Sequence, residues 1–287
     1  MKRGFPNIRL ALTLVCLVPL FSGCTEQEQP VSARENNVPA PVPAAAAPIQ
    51  VYAAPAILSA PAAPVWQSVA GKVVILDAGH GGRDFGAVHF GMREKDITLA
   101  LALRTAAILQ AQGATVHLTR QSDVFVPLPQ RSAFANRYPD AVLVSIHVNA
   151  SATNPNAFGI ETFVLSGESN DAARGQAAAS RYRLAGSDPA QSRREVTSRV
   201  AHSRNQGPVL AKFIQSSLAG RLGEPDRGVK SANFAVLRET YFCTAVLVEV
   251  GFISHFRTAE RMRTEDWRRR CSEGLAAGIV DFLRRPQ

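Results

Sequence analysis

Two histidines and one glutamate stand out because of the sequence around them. His80 follows an apolar run and lies among glycines, His147 ends a second apolar run, and Glu249 lies within a third, Val246–Val250. Imidazole and carboxylate groups are common ligands of catalytic zinc. A carboxylate among valines and leucines is costly unless it is paired, hydrogen-bonded or bound to metal. Glu249 is therefore the strongest functional candidate from residue type alone.

Each of these residues also has an ordinary structural explanation. A histidine at the end of a strand is commonly a hydrogen-bonded structural residue, and the glycines beside His80 are also typical of a tight turn. The chain has no HExxH motif, and the candidate ligands are far apart in the sequence. Residue types alone therefore leave a zinc hydrolase as one of several alternatives.

Strands and helices alternate along the chain. Strands are predicted at residues 73–76, 115–119, 141–146, 159–165 and 245–250. Helices are predicted at residues 97–112, 131–137, 209–222 and 266–283. This alternation favours an α/β domain with a largely parallel central sheet. Ligands of such sheets bind outside the carboxyl ends of the strands, so we expect His80, His147 and Glu249 to converge there.

Residues 1–24 predict a secretory signal of the lipoprotein type. A basic start precedes the apolar stretch 10–21, which is too short to span a bilayer. Small residues directly before Cys24 resemble a bacterial lipoprotein cleavage box, in which Cys24 becomes the lipidated first residue. Ordinary signal cleavage nearby is the alternative. Both interpretations predict that the protein is exported.

The rest of the chain divides into a tether and one domain. Residues 25–66 are rich in Ala and Pro and predict an extended tether, because the prolines interrupt helices and little bulk is available to bury. Residues 67–287 form the predicted domain. A polar insertion at about residues 166–206 interrupts its pattern, and two interpretations stay open: a gate beside the site, or a solvated surface excursion.

The net charge and the motif content narrow the class of binding partner. The formal net charge of +9 favours an anionic partner or reflects a solvated basic surface. The sequence has no zinc-finger, RNA-recognition or basic-zipper pattern, so no nucleic-acid partner is expected.

Cys243 and Cys271 are isolated and have no CxxC spacing, which argues against a thiolate metal site. A disulfide between them and two separate buried thiols both remain open.

Seven motifs between residues 72 and 283 carry a resemblance to a known family. In chain order they are Leu76–Ala87, Arg93–Asp96, Thr119–Asp123, Leu128–Asn136, Ser145–Ala150, Gly159–Phe163 and Val248–Ser254. Together they resemble the N-acetylmuramoyl-L-alanine amidase family with the type 3 catalytic domain. The resemblance implies a three-layer α/β domain with a central, mostly parallel six-stranded sheet flanked by helices. It also implies one Zn²⁺ and hydrolysis of the amide between N-acetylmuramic acid and L-alanine in peptidoglycan.

The resemblance also assigns roles to individual residues. It implies that His80, Glu94 and His147 are the zinc ligands and that Glu249 is the catalytic glutamate. Glu94 has an ordinary explanation too, because acidic residues favour helix N-termini. The chain departs from the family pattern at residues 254–256, where Ser-His-Phe replaces Ser-Asn and an acidic residue.

The resemblance implies peptidoglycan as the partner and leaves an activator protein and membrane attachment through lipidated Cys24 open. The expected location is the cell envelope. Some family members carry a regulatory helix over the zinc where this chain has its polar insertion. Two alternatives remain: a catalytically silent wall-binding lipoprotein, and a carboxypeptidase in which Arg131 or Arg83 would hold a terminal carboxylate.

Overall fold

The computed structural model describes residues 69–166, 171–182 and 188–286. The predicted signal and tether, together with Cys16 and Cys24, therefore lie outside the described residues. Within the described ranges, no helix combines the length and apolar character needed to cross a membrane.

Six strands form the central sheet, and a short hairpin lies beside it. The strands are β1 (Val73–Ala78), β2 (Val88–His89), β3 (Met92–Arg93), β4 (Thr115–Leu118), β5 (Val142–Asn149), β6 (Ile160–Leu165), β7 (Asp226–Ala232) and β8 (Thr244–Phe252). The sheet order is β4-β1-β5-β8-β6-β7, and β2 pairs with β3. Strands β4, β1, β5 and β8 are parallel, whereas β6 runs antiparallel to β8 and parallel to β7. The predicted mostly parallel six-stranded sheet is confirmed.

Helices cover both faces of this sheet. They are α1 (Glu94–Ala111), α2 (Leu128–Ala135), α3 (Asp171–Arg181), α4 (Pro189–Leu222), α5 (Ala235–Arg238), α6 (Phe256–Met262) and α7 (Glu265–Leu283). Alternate residues of a strand point to opposite faces. Leu76, Val144 and Val248 accordingly pack in one core with the long helices α1, α4 and α7. Ile75, Leu143 and Leu247 pack on the other face with the short helices α2 and α5, which completes the three layers.

The polar insertion lies at the amino edge of the parallel strands. Because β6 is antiparallel to β8, its last residue, Leu165, lies at the amino edge, and the chain enters α3 from there. Arg199 of α4 pairs with Asp140, which precedes β5, at 2.9 Å between Nη1 and Oδ2. Arg174 of α3 donates a 2.9 Å hydrogen bond to the carbonyl oxygen of Thr240, which precedes β8. We call α3 and residues 189–206 the α3–α4 overhang.

Helix α4 and strand β7 show the largest differences from the sequence-based expectation, and the short elements β2, β3, α3, α5 and α6 were not predicted either. Helix α4 begins at Pro189 rather than at residue 209 and continues through Pro208. A proline inside a helix removes one backbone hydrogen bond, but buried residues on both sides, Val200 and Leu210, pack against the domain and keep the helix continuous. Strand β7 was not predicted, because its sequence is polar; such composition is typical of an edge strand.

Cys243 and Cys271 are two separate buried thiols. Cys243 packs in the core under α2 and α5, and Cys271 of α7 packs in the core on the opposite face. Burial raises the pKa of Cys243 to about 12 and also raises the pKa of Cys271. Both thiols therefore act as small apolar groups rather than as nucleophiles.

Candidate metal centre

Three side chains that can ligate a metal meet at the carboxyl edge of the sheet. One ligand atom from each of His80, Glu94 and His147 lies within 4.8 Å of the others. His147 Nδ1 is 2.9 Å from Glu94 Oε1, and His80 Nε2 is 3.1 Å from Glu94 Oε2. His80 lies two residues after the end of β1, and His147 lies in the neighbouring strand β5. The parallel pairing of these strands therefore brings the two imidazoles together.

Glu94 is the first residue of α1 and is only 4% exposed. Its carboxylate accepts hydrogen bonds from the backbone N–H groups of Ala87, at 2.9 Å, and Val148, at 3.0 Å. Burial on its own would raise the pKa of Glu94, but hydrogen bonds and positive charge from His147 and His80 lower it below its usual range. Glu94 is therefore a buried, ionised group rather than a solvent-exposed helix-terminal acid.

The backbone at His80 is strained and is held by two arginines. His80 has φ of 60°, a left-handed conformation that non-glycine residues rarely adopt. Arg131 donates to the carbonyl oxygens of Ala78, at 2.7 Å, and His80, at 2.8 Å. Arg120 donates to the carbonyl oxygen of Gly79 at 2.9 Å. Strain of this kind persists where the surrounding structure over-determines it, and it is common at functional sites.

Asp77 anchors Arg131, which lies below the loop that carries His80. Arg131 Nη1 lies 2.7 Å from Asp77 Oδ1, and both side chains are buried. Ser145 and Thr119 each donate a 2.6 Å hydrogen bond to the same carboxylate. Burial would raise the pKa of Asp77, but the Arg131 cation and these two hydroxyls lower it. The loop that carries His80 thus rests on a fully paired buried charge.

Asp84 holds the second nitrogen of His80. The distance between His80 Nδ1 and Asp84 Oδ2 is 2.9 Å, and the other oxygen of Asp84 accepts from Gly86 N–H at 3.1 Å. A carboxylate on the outer nitrogen fixes the orientation and tautomer of a metal-ligating histidine. Sequence reasoning assigned Asp84 no role, although it stands in the first motif.

Two glycines leave room for the three candidate ligands. A Cβ atom on Gly79 would lie 2.6 Å from His147 Nε2. A Cβ atom on Gly86 would lie 2.5 Å from Glu94 Oε2 and 2.6 Å from His80 Cδ2, and Gly86 also has φ of 63°. Any side chain at either position would displace a candidate ligand.

Glu249 lies beside this cluster on β8, paired in register with His147 of β5. Its Oε2 atom is buried and has no hydrogen-bond partner among the described residues. Burial raises the pKa of Glu249 well above its usual range, and the nearby carboxylates of Glu94 and Glu161 raise it further. A buried carboxyl oxygen without a hydrogen-bond partner is costly for the fold, and a perturbed pKa is typical of functional sites.

The donor set suits zinc. Tetrahedral zinc binds nitrogen and oxygen ligands at about 2.0–2.2 Å, which places neighbouring ligand atoms roughly 3.4 Å apart. The 2.9 Å and 3.1 Å contacts of Glu94 with the two histidines are close to that separation. Three protein ligands would leave a fourth position open, the usual arrangement of a catalytic site.

The residues at the departure from the family pattern form a helix cap. His255 precedes α6, and its Nδ1 lies 2.8 Å from Thr258 Oγ1. Its ring stacks on Phe158 with a centroid separation of 4.9 Å. His255 therefore has a structural role as the cap of α6, and this role accounts for the departure from the family pattern at this position.

Comparisons with known proteins agree with this geometry. The N-acetylmuramoyl-L-alanine amidase family model matches residues 74–281. The protein YqiI of Bacillus subtilis (strain 168) is 32% identical over 227 residues, which cover 79% of this chain and 92% of YqiI. The N-acetylmuramoyl-L-alanine amidase AmiC of Neisseria meningitidis serogroup B is 33% identical over 221 residues, which cover 74% of this chain but 52% of AmiC. This chain therefore matches only about half the length of that relative.

A solved structure shows the same fold. The crystal structure of N-acetylmuramoyl-L-alanine amidase from Clostridium difficile 630 superposes with a TM-score of 0.59 at 28% sequence identity, covering 74% of this chain and 96% of that one. The resemblance found in the sequence motifs is thus confirmed by the family match, by relatives and by the fold. The chain belongs to the N-acetylmuramoyl-L-alanine amidase family.

Proposed function

We propose that this protein is an exported, zinc-dependent amidase that hydrolyses the bond between N-acetylmuramic acid and L-alanine in peptidoglycan. The observation that carries the proposal is the meeting of His80, Glu94 and His147 next to Glu249, whose Oε2 atom is buried without a partner among the described residues. Membership of the amidase family supports the substrate, and the donor set supports the metal.

Each side chain has a separate task in this proposal. His80, Glu94 and His147 hold the metal. When bound there, zinc would supply Lewis-acid chemistry and lower the pKa of the attacking water to about 7. Glu249 accepts a proton from the attacking water and later delivers it to the amine of L-alanine, while the carbonyl carbon gains a C–O bond and loses its C–N bond. Burial and the carboxylates of Glu94 and Glu161 raise the pKa of Glu249, which favours its uptake of the proton from the attacking water.

Other residues position the ligands without touching the substrate. Asp84 orients His80 through its outer nitrogen. Arg131 holds the carbonyl groups of Ala78 and His80, and Arg120 holds that of Gly79 between them, which fixes the strained turn. A metal site built on strand ends and supported in this way keeps its ligands in one geometry.

The carboxypeptidase alternative loses one of its two candidate residues. Every side-chain nitrogen of Arg131 already donates within the domain, to Asp77, Val126, Ala78 or His80. Arg83 is exposed and lies over the ring of Phe125, with 4.6 Å from Cζ to the ring centroid. The silent-binder alternative is disfavoured because all four proposed functional side chains are present and close together.

The direct test is mass spectrometry of the soluble products from purified peptidoglycan incubated with the full-length protein and zinc. The proposal expects zinc-dependent release of free peptides that begin with L-alanine, and no release with a chelator. Shortened peptides still attached to glycan would assign a peptidase instead. Absence of any product from the zinc-loaded protein would favour the silent wall-binding alternative.

Export and anchoring form the remaining part of the proposal, and they rest on residues 1–24. Cys24 is proposed to carry lipid, and the tether would then separate the domain from the membrane. Metabolic labelling with a fatty acid tests this directly, since Cys24→Ser should lose the label while keeping an active domain. Labelling that survives Cys24→Ser would move the anchor elsewhere.

A further inference from the structure

A row of side chains crosses four adjacent strands at the site. His147 of β5 is in register with Glu249 of β8, and Glu249 is in register with Glu161 of β6. Residues paired directly across strands project from the same face of a sheet. Strand β7 follows as the edge strand and carries Arg227 and Lys230. The row therefore leads from the candidate metal centre to two cationic side chains at the end of the sheet.

Glu161 fixes these two cations in place. It is 4% exposed, and its Oε1 accepts from Arg227 Nε at 2.5 Å and from Lys230 Nζ at 2.6 Å. Its other oxygen accepts from Asn149 Nδ2 at 3.2 Å. One buried carboxylate thus holds two positive charges beside the site. The neighbouring Asp226 uses Oδ1 to accept from Gln215 and from the backbone of Gly228.

Both cations keep donors available on their exposed sides. The Arg227 and Lys230 side chains are 37% and 39% exposed. Within the described residues, Lys230 uses its ammonium group, which has three N–H donors, only for Glu161. Arg227 Nη2 has no partner among those residues, and the guanidinium lies over the ring of Phe252 at 5.2 Å. The pair is held rigidly and can accept an anion without rearrangement.

We propose that Arg227 and Lys230 bind a carboxylate of the stem peptide, on the second residue after the scissile amide. This rests on the proposed amidase function and adds the direction in which the peptide lies, across β8, β6 and β7. Both cations contact Glu161 on β6, which lies two strand spacings, or about 10 Å, from His147 on β5. Two extended residues reach about 7 Å, and a carboxyl group extends about 2 Å further, so the second residue brings its carboxylate to the cations.

The test uses two soluble muramyl tripeptides that differ at one group. In one, the second residue of the peptide carries a free carboxylate; in the other, it carries a carboxamide. The zinc-loaded full-length protein should cleave the carboxylate form with kcat/KM about tenfold higher or more, mainly through a lower KM, because charge-assisted hydrogen bonds to a carboxylate are strong. Added salt should raise KM for the carboxylate form and leave KM for the carboxamide form nearly unchanged.

Single substitutions identify the residues responsible. Lys230→Gln and Arg227→Gln should each lower the ratio of kcat/KM between the two substrates severalfold, while kcat for the carboxamide form stays within about twofold of wild type. Each variant leaves the other cation on Glu161, so the buried carboxylate keeps a partner. Lys212→Gln, an exposed position on α4, is the matched control and should keep the wild-type ratio.

Two results would overturn this subsite: equal kcat/KM for the two substrates in the wild-type protein, or an unchanged ratio in both variants. Failure of the amidase function is seen separately, as absence of cleavage of either compound. In that case, calorimetry with the free tripeptide in its carboxylate and carboxamide forms decides the subsite directly. Tighter binding of the carboxylate form, lost in Lys230→Gln, supports it, and equal affinities overturn it.

Discussion

The two edges of the central sheet are built in different ways. The carboxyl edge holds the buried carboxylates of Asp77 and Glu94, the buried Oε2 atom of Glu249 and a left-handed backbone at His80. The amino edge holds the α3–α4 overhang, which packs on Tyr241 and Phe242 through small and β-branched side chains. Several of its arginines are exposed or form solvent-exposed ion pairs, whereas Arg174 donates a part-buried hydrogen bond to the carbonyl oxygen of Thr240.

This difference distinguishes the contacts that stabilise the fold from those that hold the functional groups in place. The amino edge is covered by apolar packing, which is favourable because valines and aromatic rings leave water, together with contacts such as the Arg174 hydrogen bond to Thr240. Buried charges and strained backbone at the carboxyl edge cost stability and persist because neighbouring groups hold them. The effect of a substitution should therefore depend more on which edge of the sheet the residue occupies than on its residue type. Matched pairs of variants, one at each edge, test this expectation.

The largest expected effect comes from removing a metal ligand. His147→Ala should abolish both zinc binding and amide hydrolysis, because two ligands hold zinc far more weakly than three. The measurement is zinc content after dialysis, by elemental analysis, alongside the peptidoglycan assay. His202→Ala is the matched control, an exposed histidine on the overhang that should leave zinc and activity unchanged. Full zinc occupancy in purified His147→Ala would refute the ligand assignment.

The second-largest expected effect comes from a substitution of Glu249, which separates metal binding from proton transfer. Glu249→Gln should keep zinc but lower kcat about 10²- to 10⁴-fold, because the amide cannot accept the proton of the attacking water. Zinc content and single-turnover rates on a muramyl peptide measure the two properties separately. Glu195→Gln, an exposed acid on the overhang, serves as the control with normal rates. Wild-type turnover by Glu249→Gln would remove Glu249 from the mechanism.

A third comparison concerns stability. Arg131→Met leaves Asp77 as a buried, unpaired charge and should lower the free energy of unfolding by about 3–5 kcal/mol. Arg194→Met, at an exposed position of the overhang, should change it by less than about 0.5 kcal/mol. Urea denaturation followed by circular dichroism gives both values. Equal and small changes would show that the ion pair below the His80 loop is not needed to hold it.

The sequence predicts the site only as far as local patterns reach. The apolar runs of β5 and β8 identify buried strands, and parallel pairing then requires His147 and Glu249 to lie close together. Glu94 cannot be distinguished by pattern from an acid that simply favours a helix N-terminus. Its identification depended on the family resemblance, and only the structure shows the carboxylate buried against both histidines.

The residues that support the site are harder to find for a physical reason. Asp84 and Arg131 act through contacts with carbonyl groups and an imidazole, which no composition or periodicity reports. Strand β7 escaped prediction because an edge strand needs no apolar alternation. Helix α4 was cut short at Pro208, where local propensity predicts a boundary but packing on both sides overrides it.

The smallest expected effect comes from the overhang itself. Arg199 pairs with Asp140, but their side chains are 35% and 66% exposed, so solvent screens the interaction and its net contribution is about 0–1 kcal/mol. Arg199→Gln should therefore leave zinc content, kcat and KM at wild-type values, with at most a small loss of stability measured by urea denaturation. A tenfold loss of kcat with zinc still bound would mean that the amino edge communicates with the metal centre. In that case the two edges are parts of one functional unit, and the overhang would have to be treated as a regulatory element acting at a distance.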